Sequence, residues 1–340
     1  MSMQIYDQRY DVSAEWEINR YCNFKCQHCF YSADKKRGDR AYIGHEDIEK
    51  IVGAFNATGI TWLIGMVGGE PFLHPDFIHL CEELTKKHYL SIATNLSTDN
   101  LREFCKTIDP KRIDRIHASL HIIERERLGL ARDFIEKVRI VKDAGIRIYT
   151  TQVMWPPLVG RFETIFNTYE KEGVVIRPKL FRGFYSGRYY PREYSKKEKE
   201  LILYFSRKAE EKERIESERN LIYFGRNSAL IEGPFSFKGL PCFAGRRFVT
   251  IDYDGNVRRC SDHKQSLGNL YEGTLKLLNR AEVCKVGFCG CPTNGMMFAV
   301  GKPERLSWLK IFIDFKLKPK LRYRRRQLER VLSRFYFFHK

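Results

Sequence analysis

From residue 14 to about 180, short apolar runs alternate with amphipathic stretches of helical period, and this alternation restricts the fold more than any other feature of the chain. Strands are expected at Ala14–Arg20, Thr61–Val67, Tyr89–Thr94, Arg115–Leu120, Ile146–Val153 and Val174–Arg177. Helices are expected at His45–Ala57, Pro75–His88, Asp99–Lys106, Leu128–Ala144 and Arg161–Glu172. Gly59, Gly145 and Gly173 fall where helices should stop, because helices commonly end on a left-handed residue. Strand–helix alternation predicts a parallel sheet covered by helices. About six such units suit an α/β fold, an open and partial (βα)6 TIM-like barrel over 14–180, with its chemistry on the loops after the strands.

Residues 181–240 break the pattern. FRGFYSGRYYPREYS is aromatic and basic, and KKEKELILYFSRKAEEKERIESER reads as a charged helix. This bridging segment either covers the barrel mouth or is a solvated connector. Residues 241–300 contain RRFVTIDYDGNVRRC, two β-rich runs around Asp254-Gly255, which is a strong hairpin signal. A small C-terminal α+β domain is expected there, followed by a basic tail at 301–340.

With 340 residues, 43% of them hydrophobic, the chain can bury a sizeable core. A net charge of +18 draws anionic partners but does not select a fold. No run of about 18 apolar residues is present, so no membrane span is expected. MSMQIYDQRYDVSAEWE places charges where a signal peptide needs an apolar stretch, and a cytoplasmic protein is expected. In that compartment the ten cysteines should bind metal or react rather than form disulfides. Cys81 and Cys105 stand alone in helical patterns and read as small buried hydrophobes.

The remaining cysteines are clustered. INRYCNFKCQHCFYS places Cys22, Cys26 and Cys29 at C-x3-C-x2-C directly after the first strand. Three thiolates on one loop can hold three irons of a cubic cluster, leaving one iron open to a small molecule, as in catalytic centres. Zinc with His28 as a fourth ligand is the alternative, weakened because His28 and Cys29 are adjacent.

This loop resembles the C-x3-C-x-Φ-C signature of the radical S-adenosylmethionine superfamily, with His28 at the Φ position. The resemblance implies that Cys22, Cys26 and Cys29 bind a catalytic 4Fe–4S cluster. It further implies that S-adenosylmethionine binds the open iron and is cleaved reductively to a hydrogen-abstracting 5′-deoxyadenosyl radical. GMVGGEPFLHPDF follows the second strand. Its Gly68-Gly69-Glu70-Pro71 resembles the superfamily's GGEP segment, which pairs with the methionine ammonium, and the glycines allow close backbone approach to a ligand. Asn95 in ATNLS resembles a TNG-type segment and faces substrate or cofactor, or else caps a turn. Ser119 in HASLH matches the Ser of an S-L-D segment, while His121 replaces the Asp, as a proton donor, a substrate contact or a satisfied histidine. Val153 and Met154 pack on adenine or, as the better reading, fill the barrel core.

Cys242-x12-Gly255-x4-Cys260 resembles the opening of the SPASM and Twitch auxiliary-cluster domains, and LGNLYEGTL follows as it often does there. The resemblance implies an auxiliary 4Fe–4S cluster, with two further ligands from Cys284, Cys289 and Cys291. Five cysteines favour the one-cluster Twitch form. A spare thiol would be inert or donate a hydrogen atom, and a zinc knuckle is the alternative for the group. Between 302 and 340, 13 Lys or Arg face three acidic residues among apolar runs. Such a tail packs on the barrel, lies on an anionic membrane surface or binds another anionic partner. No nucleic-acid fold motif is present.

The expected function is reductive cleavage of S-adenosylmethionine with hydrogen abstraction from a sugar-like or peptide substrate, giving oxidation, epimerisation or cross-linking. An external one-electron reductant such as flavodoxin or ferredoxin is implied. With 21 residues ahead of Cys22, no leader-recognition domain is expected at the front, which lowers the peptide reading. A non-catalytic Fe–S electron carrier or cluster-bearing partner is the alternative from another class.

Overall fold

The computed structural model describes residues 9–29, 45–213, 227, 230–231, 235–287, 289, 298–301 and 304–306. Six parallel strands lie side by side in chain order: β1 (Val12–Asn19), β2 (Trp62–Gly68), β3 (Tyr89–Thr94), β4 (Ile113–Ser119), β5 (Ile148–Met154) and β6 (Ile176–Leu180). Between them run α1 (His45–Ala57), α2 (Phe77–Thr85), α3 (Asn100–Thr107), α4 (Ile122–Leu128), α5 (Ala131–Asp143), α6 (Pro156–Val159) and α7 (Phe162–Lys171). This is the expected α/β partial barrel. The sequence reading omits α4. Its seven residues bury Glu124 and Arg125, so no apolar stripe announces it.

Strand alternation gives the sheet two faces. On one, Trp16 and Trp62 pack on Phe55 of α1, with ring centroids 6.1 and 5.3 Å apart, and Ile64, Met66, Ile92, Ile116 and Ala118 are wholly buried. On the other, Glu15, Glu17, Gly65, Ser91, Ala93, His117, Ser119, Thr151 and Lys179 all remain at least partly exposed. Toward the C-terminal ends of the strands this face forms a polar cleft, with Leu63, Arg115, Tyr149 and Arg177 buried nearer the N-terminal ends. Met154 belongs to the buried core, while Val153 is half-buried on the cleft face.

After β6 comes a hairpin, β7 (Gly183–Tyr185) and β8 (Arg188–Tyr190). Ser186 and Gly187 both take positive φ, 47° and 76°, as a tight two-residue hairpin turn requires. Next, α8 (Lys196–Lys212) opens with a capping box between Ser195 and Glu198. Short strands follow: β9 (Phe235–Ser236), β10 (Pro241–Cys242), β11 (Phe248–Ile251), β12 (Asn256–Cys260), β13 (His263–Asn269), β14 (Glu282–Val283) and β15 (Glu304–Arg305).

The β11–β12 pair is the hairpin read from RRFVTIDYDGNVRRC, with Gly255 at φ 79° in its turn. β11 also pairs in parallel with β1, from Ser13↔Phe248 to Trp16↔Ile251. The sheet therefore has nine strands in the order β13-β12-β11-β1-β2-β3-β4-β5-β6. An open barrel leaves the outer edge of β1 without a partner, and β11 fills it. No helix among the described residues is long and apolar enough to cross a membrane. Cys291 and the basic tail from residue 307 lie outside the described residues.

Candidate functional site

The cysteine loop leaves the C-terminal end of β1. Cys26 is buried, and Cys22 and Cys29 are half-buried. The Cys29 N–H donates to the Cys26 carbonyl at 3.1 Å, closing a turn. Between the thiols, Phe24 is wholly buried, with the Arg125 guanidinium over its ring at 5.5 Å. The Lys25 N–H donates to the Glu124 carboxylate at 3.0 Å.

Gly68-Gly69-Glu70 lies directly against this loop. The Gly69 N–H donates to Asn19 O at 2.9 Å and the Glu70 N–H to Tyr21 O at 2.8 Å. The Asn19 amide closes the contact, donating to Glu70 O at 2.9 Å. A Cβ on Gly68 would stand 2.2 Å from Asn19 O, and one on Gly69 1.9 Å from Tyr21 O. The close approach that needs these glycines is therefore to the chain's own backbone, one residue ahead of Cys22.

Glu70 is wholly buried. Its carboxylate accepts from Thr94 Oγ1 at 2.6 Å, the Asn95 N–H at 2.6 Å and the Phe72 N–H at 3.2 Å. Burial pushes its pKa up to about 7, against the pull of those hydrogen bonds and of Arg125. The side chain thus ties the end of β2 to the end of β3. Pro71 is buried and starts a short 3-10 turn.

Asn95 reaches the cysteine loop. Its Nδ2 donates to Asn23 Oδ1 at 3.0 Å and lies 3.7 Å from Cys22 Sγ, while its Oδ1 accepts from the Ser97 N–H at 2.9 Å. Arg125, fully enclosed, donates to the carbonyls of Leu120, Leu130 and Asn95. Burial lowers its pKa to about 10, which leaves it charged at neutral pH. Ser119 ends β4, half-buried, with Thr151 as its strand partner. His121 follows at φ 49°. Its Nδ1 is 3.3 Å from His28 Nε2, and the ligand atoms of Cys26, His28 and His121 all lie within 4.8 Å of one another. Trp155 stands 6.1 Å from His28 and 5.1 Å from Tyr185 of the β7–β8 hairpin, centroid to centroid.

Glu124 and Arg125 are the residues that sequence reasoning missed. Their signal was a charged pair in an apolar start, HIIERERL, immediately after the HASLH segment.

The second cysteine group also converges. Cys242 belongs to a small buried cluster with Phe235, Phe237, Phe248 and Phe298, and Cys260, Cys284 and Cys289 pack against it. Burial pushes the Cys242 and Cys260 thiols up. Arg259, almost fully buried, donates to the carbonyls of Ala244 (2.8 Å), Cys242 (3.1 Å), Glu282 (2.5 Å) and Val283 (3.3 Å). It thereby joins β10, β12 and β14.

Comparison with known proteins bears on the first site. Residues 16–164 match the Radical SAM superfamily, a stretch that runs from β1 into α7. A probable GTP 3',8-cyclase of Saccharolobus islandicus (strain M.14.25 / Kamchatka #1) is 28% identical over 109 residues, 32% of this chain and 34% of that protein. The GTP 3',8-cyclase of Psychromonas ingrahamii is 25% identical over 159 residues, 45% of this chain and 46% of that one. The chain thus spans a third to a half of these two curated relatives. Among solved structures, native anSMEcpe with bound AdoMet shares the fold at a TM-score of 0.54 and 16% identity, covering 77% of this chain and 78% of that one. Streptococcus suis SuiB does so at 0.50 and 16%, covering 78% and 64%.

Proposed function

We propose that the chain is a radical enzyme. In this reading Cys22, Cys26 and Cys29 hold a 4Fe–4S cluster, S-adenosylmethionine binds beside it, and hydrogen is taken from a sugar-like or peptide substrate in the cleft. The observation that carries the reading is the convergence of the segments after β2, β3 and β4 on the cysteine loop that follows β1. The Gly68–Glu70 backbone is bonded to Asn19 and Tyr21, Asn95 reaches Asn23 and Cys22, and Glu124 holds Lys25. An electron carrier needs none of this around its cysteines.

The donor set suits the cluster: three thiols share one loop, and an amide N–H points at a sulfur. When bound, the cluster supplies the electron for cleavage of the sulfonium. The chain's own residues do the rest. Packed on Asn19 and Tyr21, the Gly68–Glu70 backbone fixes the strand end at which the methionine ammonium would bind, and the buried Glu70 and Pro71 keep it in place. Asn95 and Ser119 offer polar groups at the cleft rim. An N–H donated toward Cys22 Sγ steadies charge on that sulfur and tunes the potential. Phe24 and Trp155 keep water from the loop, which protects a reactive radical.

The cleft is polar, Lys179 stands on the cleft face of β6, Arg182 follows that strand and Arg188 begins β8. A polar, anionic substrate suits these cations. The structural neighbour anSMEcpe has been solved with AdoMet and Cp18Cys peptide, which favours the peptide arm of the proposal. We assign an auxiliary 4Fe–4S cluster to Cys242, Cys260 and two of Cys284, Cys289 and Cys291, and the electron to an acidic reductant such as flavodoxin or ferredoxin, drawn by the basic surface.

Anaerobic reconstitution with iron and sulfide tests the assignment. About eight irons per chain are expected, falling to about four when Cys22, Cys26 and Cys29 are replaced by Ala. AdoMet should shift the electron paramagnetic resonance of the reduced wild type. A fully loaded protein whose spectrum ignores AdoMet would rule out the catalytic reading.

A further inference from the structure

We propose that Cys26, His28 and His121 form a mononuclear transition-metal site, suited to Zn2+, whose occupation excludes cluster assembly on the same loop. Their ligand atoms all lie within 4.8 Å of one another. His28 Nε2 and His121 Nδ1 are 3.3 Å apart. Two imidazole nitrogens on one tetrahedral Zn2+, each at about 2.0–2.1 Å, stand roughly 3.3 Å from each other. The histidine pair therefore already spans one edge of the coordination polyhedron. One thiolate and two imidazoles make a borderline-soft set appropriate to zinc, and three protein ligands leave a fourth position for water.

Both rings are set by their surroundings. His121 stands at φ 49° ahead of α4, a left-handed backbone that a residue with a side chain adopts where its neighbours impose it. Phe24 packs edge-on against it at 6.1 Å. Trp155 flanks His28 at 6.1 Å. Adjacency counts against pairing His28 with Cys29 on one ion. Here His28 is placed with Cys26, two residues earlier, and with a histidine 93 positions along the chain. Because Cys26 is also a ligand in the proposed cluster, one thiolate serves both occupants and they exclude each other. Zinc would then act as a brake on cluster loading.

The metal site stands on this geometry, its effect on cluster loading rests on the radical reading, and the two are tested separately. Co2+ alone is titrated anaerobically into the full-length protein before any iron or sulfide, and d–d and thiolate-to-cobalt absorption are read. Each variant is compared with wild type, so cobalt held by the second cysteine group cancels. Cys26→Ala, His28→Gln and His121→Asn should each weaken this site by more than about tenfold, and Cys22→Ala should leave it unchanged. Asn tolerates left-handed backbone, so His121→Asn keeps the turn, and His28→Gln provides an independent variant. Zinc given before iron and sulfide should lower iron uptake in wild type, and His121→Asn should abolish that sensitivity. Loss of the signal in Cys22→Ala with retention in His121→Asn would place the metal on three thiolates and overturn the proposal. An unchanged spectrum in Cys26→Ala, His28→Gln and His121→Asn alike would overturn it too. Iron uptake by zinc-free protein is a separate reading, and its failure would count against the cluster, not against this site.

Discussion

The N–H of Lys25, at the centre of the cysteine loop, donates to the carboxylate of Glu124 3.0 Å away, across 99 residues of sequence. Glu124 is buried, and its Oε2 is shared with Arg127 at 2.8 Å. Removing the carboxylate leaves a loop amide without its acceptor, at a cost of about 1–3 kcal/mol. Glu124→Ala should fold, as judged by circular dichroism, yet load about half the wild-type iron, and Glu124→Gln should restore most of it. Wild-type iron in Glu124→Ala would show that the loop does not depend on this anchor.

Gly69→Ala should be more severe than any polar change at the rim. Its Cβ would stand 1.9 Å from Tyr21 O, a backbone atom that no rotamer change can move. The strand end must shift, and local strain of about 3 kcal/mol or more is expected. Iron at the first cysteine group should be lost, while iron at the second is retained. A Gly69→Ala protein with full iron at both groups would contradict the packing described.

Two buried groups give opposing pH dependences. Glu70 is raised to about 7 by burial, so its protonated form favours the fold. Its contribution is complete below the unfolded value near 4.5 and is lost as pH rises toward 7. His88 is lowered to about 4, chiefly by burial and secondly by Lys87 and Arg112. Its contribution is complete above the unfolded value near 6.5 and is lost as pH falls toward 4. Each is worth on the order of 3 kcal/mol across its window, so between about pH 4.5 and 6.5 they largely cancel in wild type. The urea midpoint of Glu70→Gln should therefore rise from pH 5 to 6.5, and that of His88→Gln should fall from pH 5 to 7. Parallel profiles for the two variants would refute the assignment.

Arg259 holds the second cysteine group together through four carbonyls, two of them on Glu282 and Val283 opposite Cys242. Arg259→Met keeps the bulk and removes the donors. It should cost about 3 kcal/mol and lower iron at the second group, read by iron analysis in a background lacking Cys22, Cys26 and Cys29. Unchanged iron in that background would detach Arg259 from the group.

Local chemistry was the legible part of this chain. Periodicity placed α1 at His45–Ala57 and β3 at Tyr89–Thr94, and the α/β barrel followed from alternation alone. The grouping of Cys22, Cys26 and Cys29 on one loop is a matter of spacing. What escaped depends on pairing between distant segments. Nothing local reveals that β11 would fill the free edge of β1. Glu124 and Arg125 look like surface charges until Lys25 and Asn95 are brought to them. The glycines of GGEP read as room for a ligand, whereas a Cβ there would meet Asn19 and Tyr21. His28 was weighed against its neighbour Cys29, because no spacing rule shows that His121 lies beside it.

The central claim is that the cysteine loop drives cleavage of S-adenosylmethionine. The most direct measurement is 5′-deoxyadenosine by mass spectrometry after anaerobic reconstitution, reduction with dithionite and addition of S-adenosylmethionine. A parallel sample would carry Cys22→Ala, Cys26→Ala and Cys29→Ala. The account predicts 5′-deoxyadenosine from wild type and none from the triple variant. Its absence from fully clustered wild type, even with peptide and sugar substrates supplied, would contradict the account and leave an electron carrier in its place.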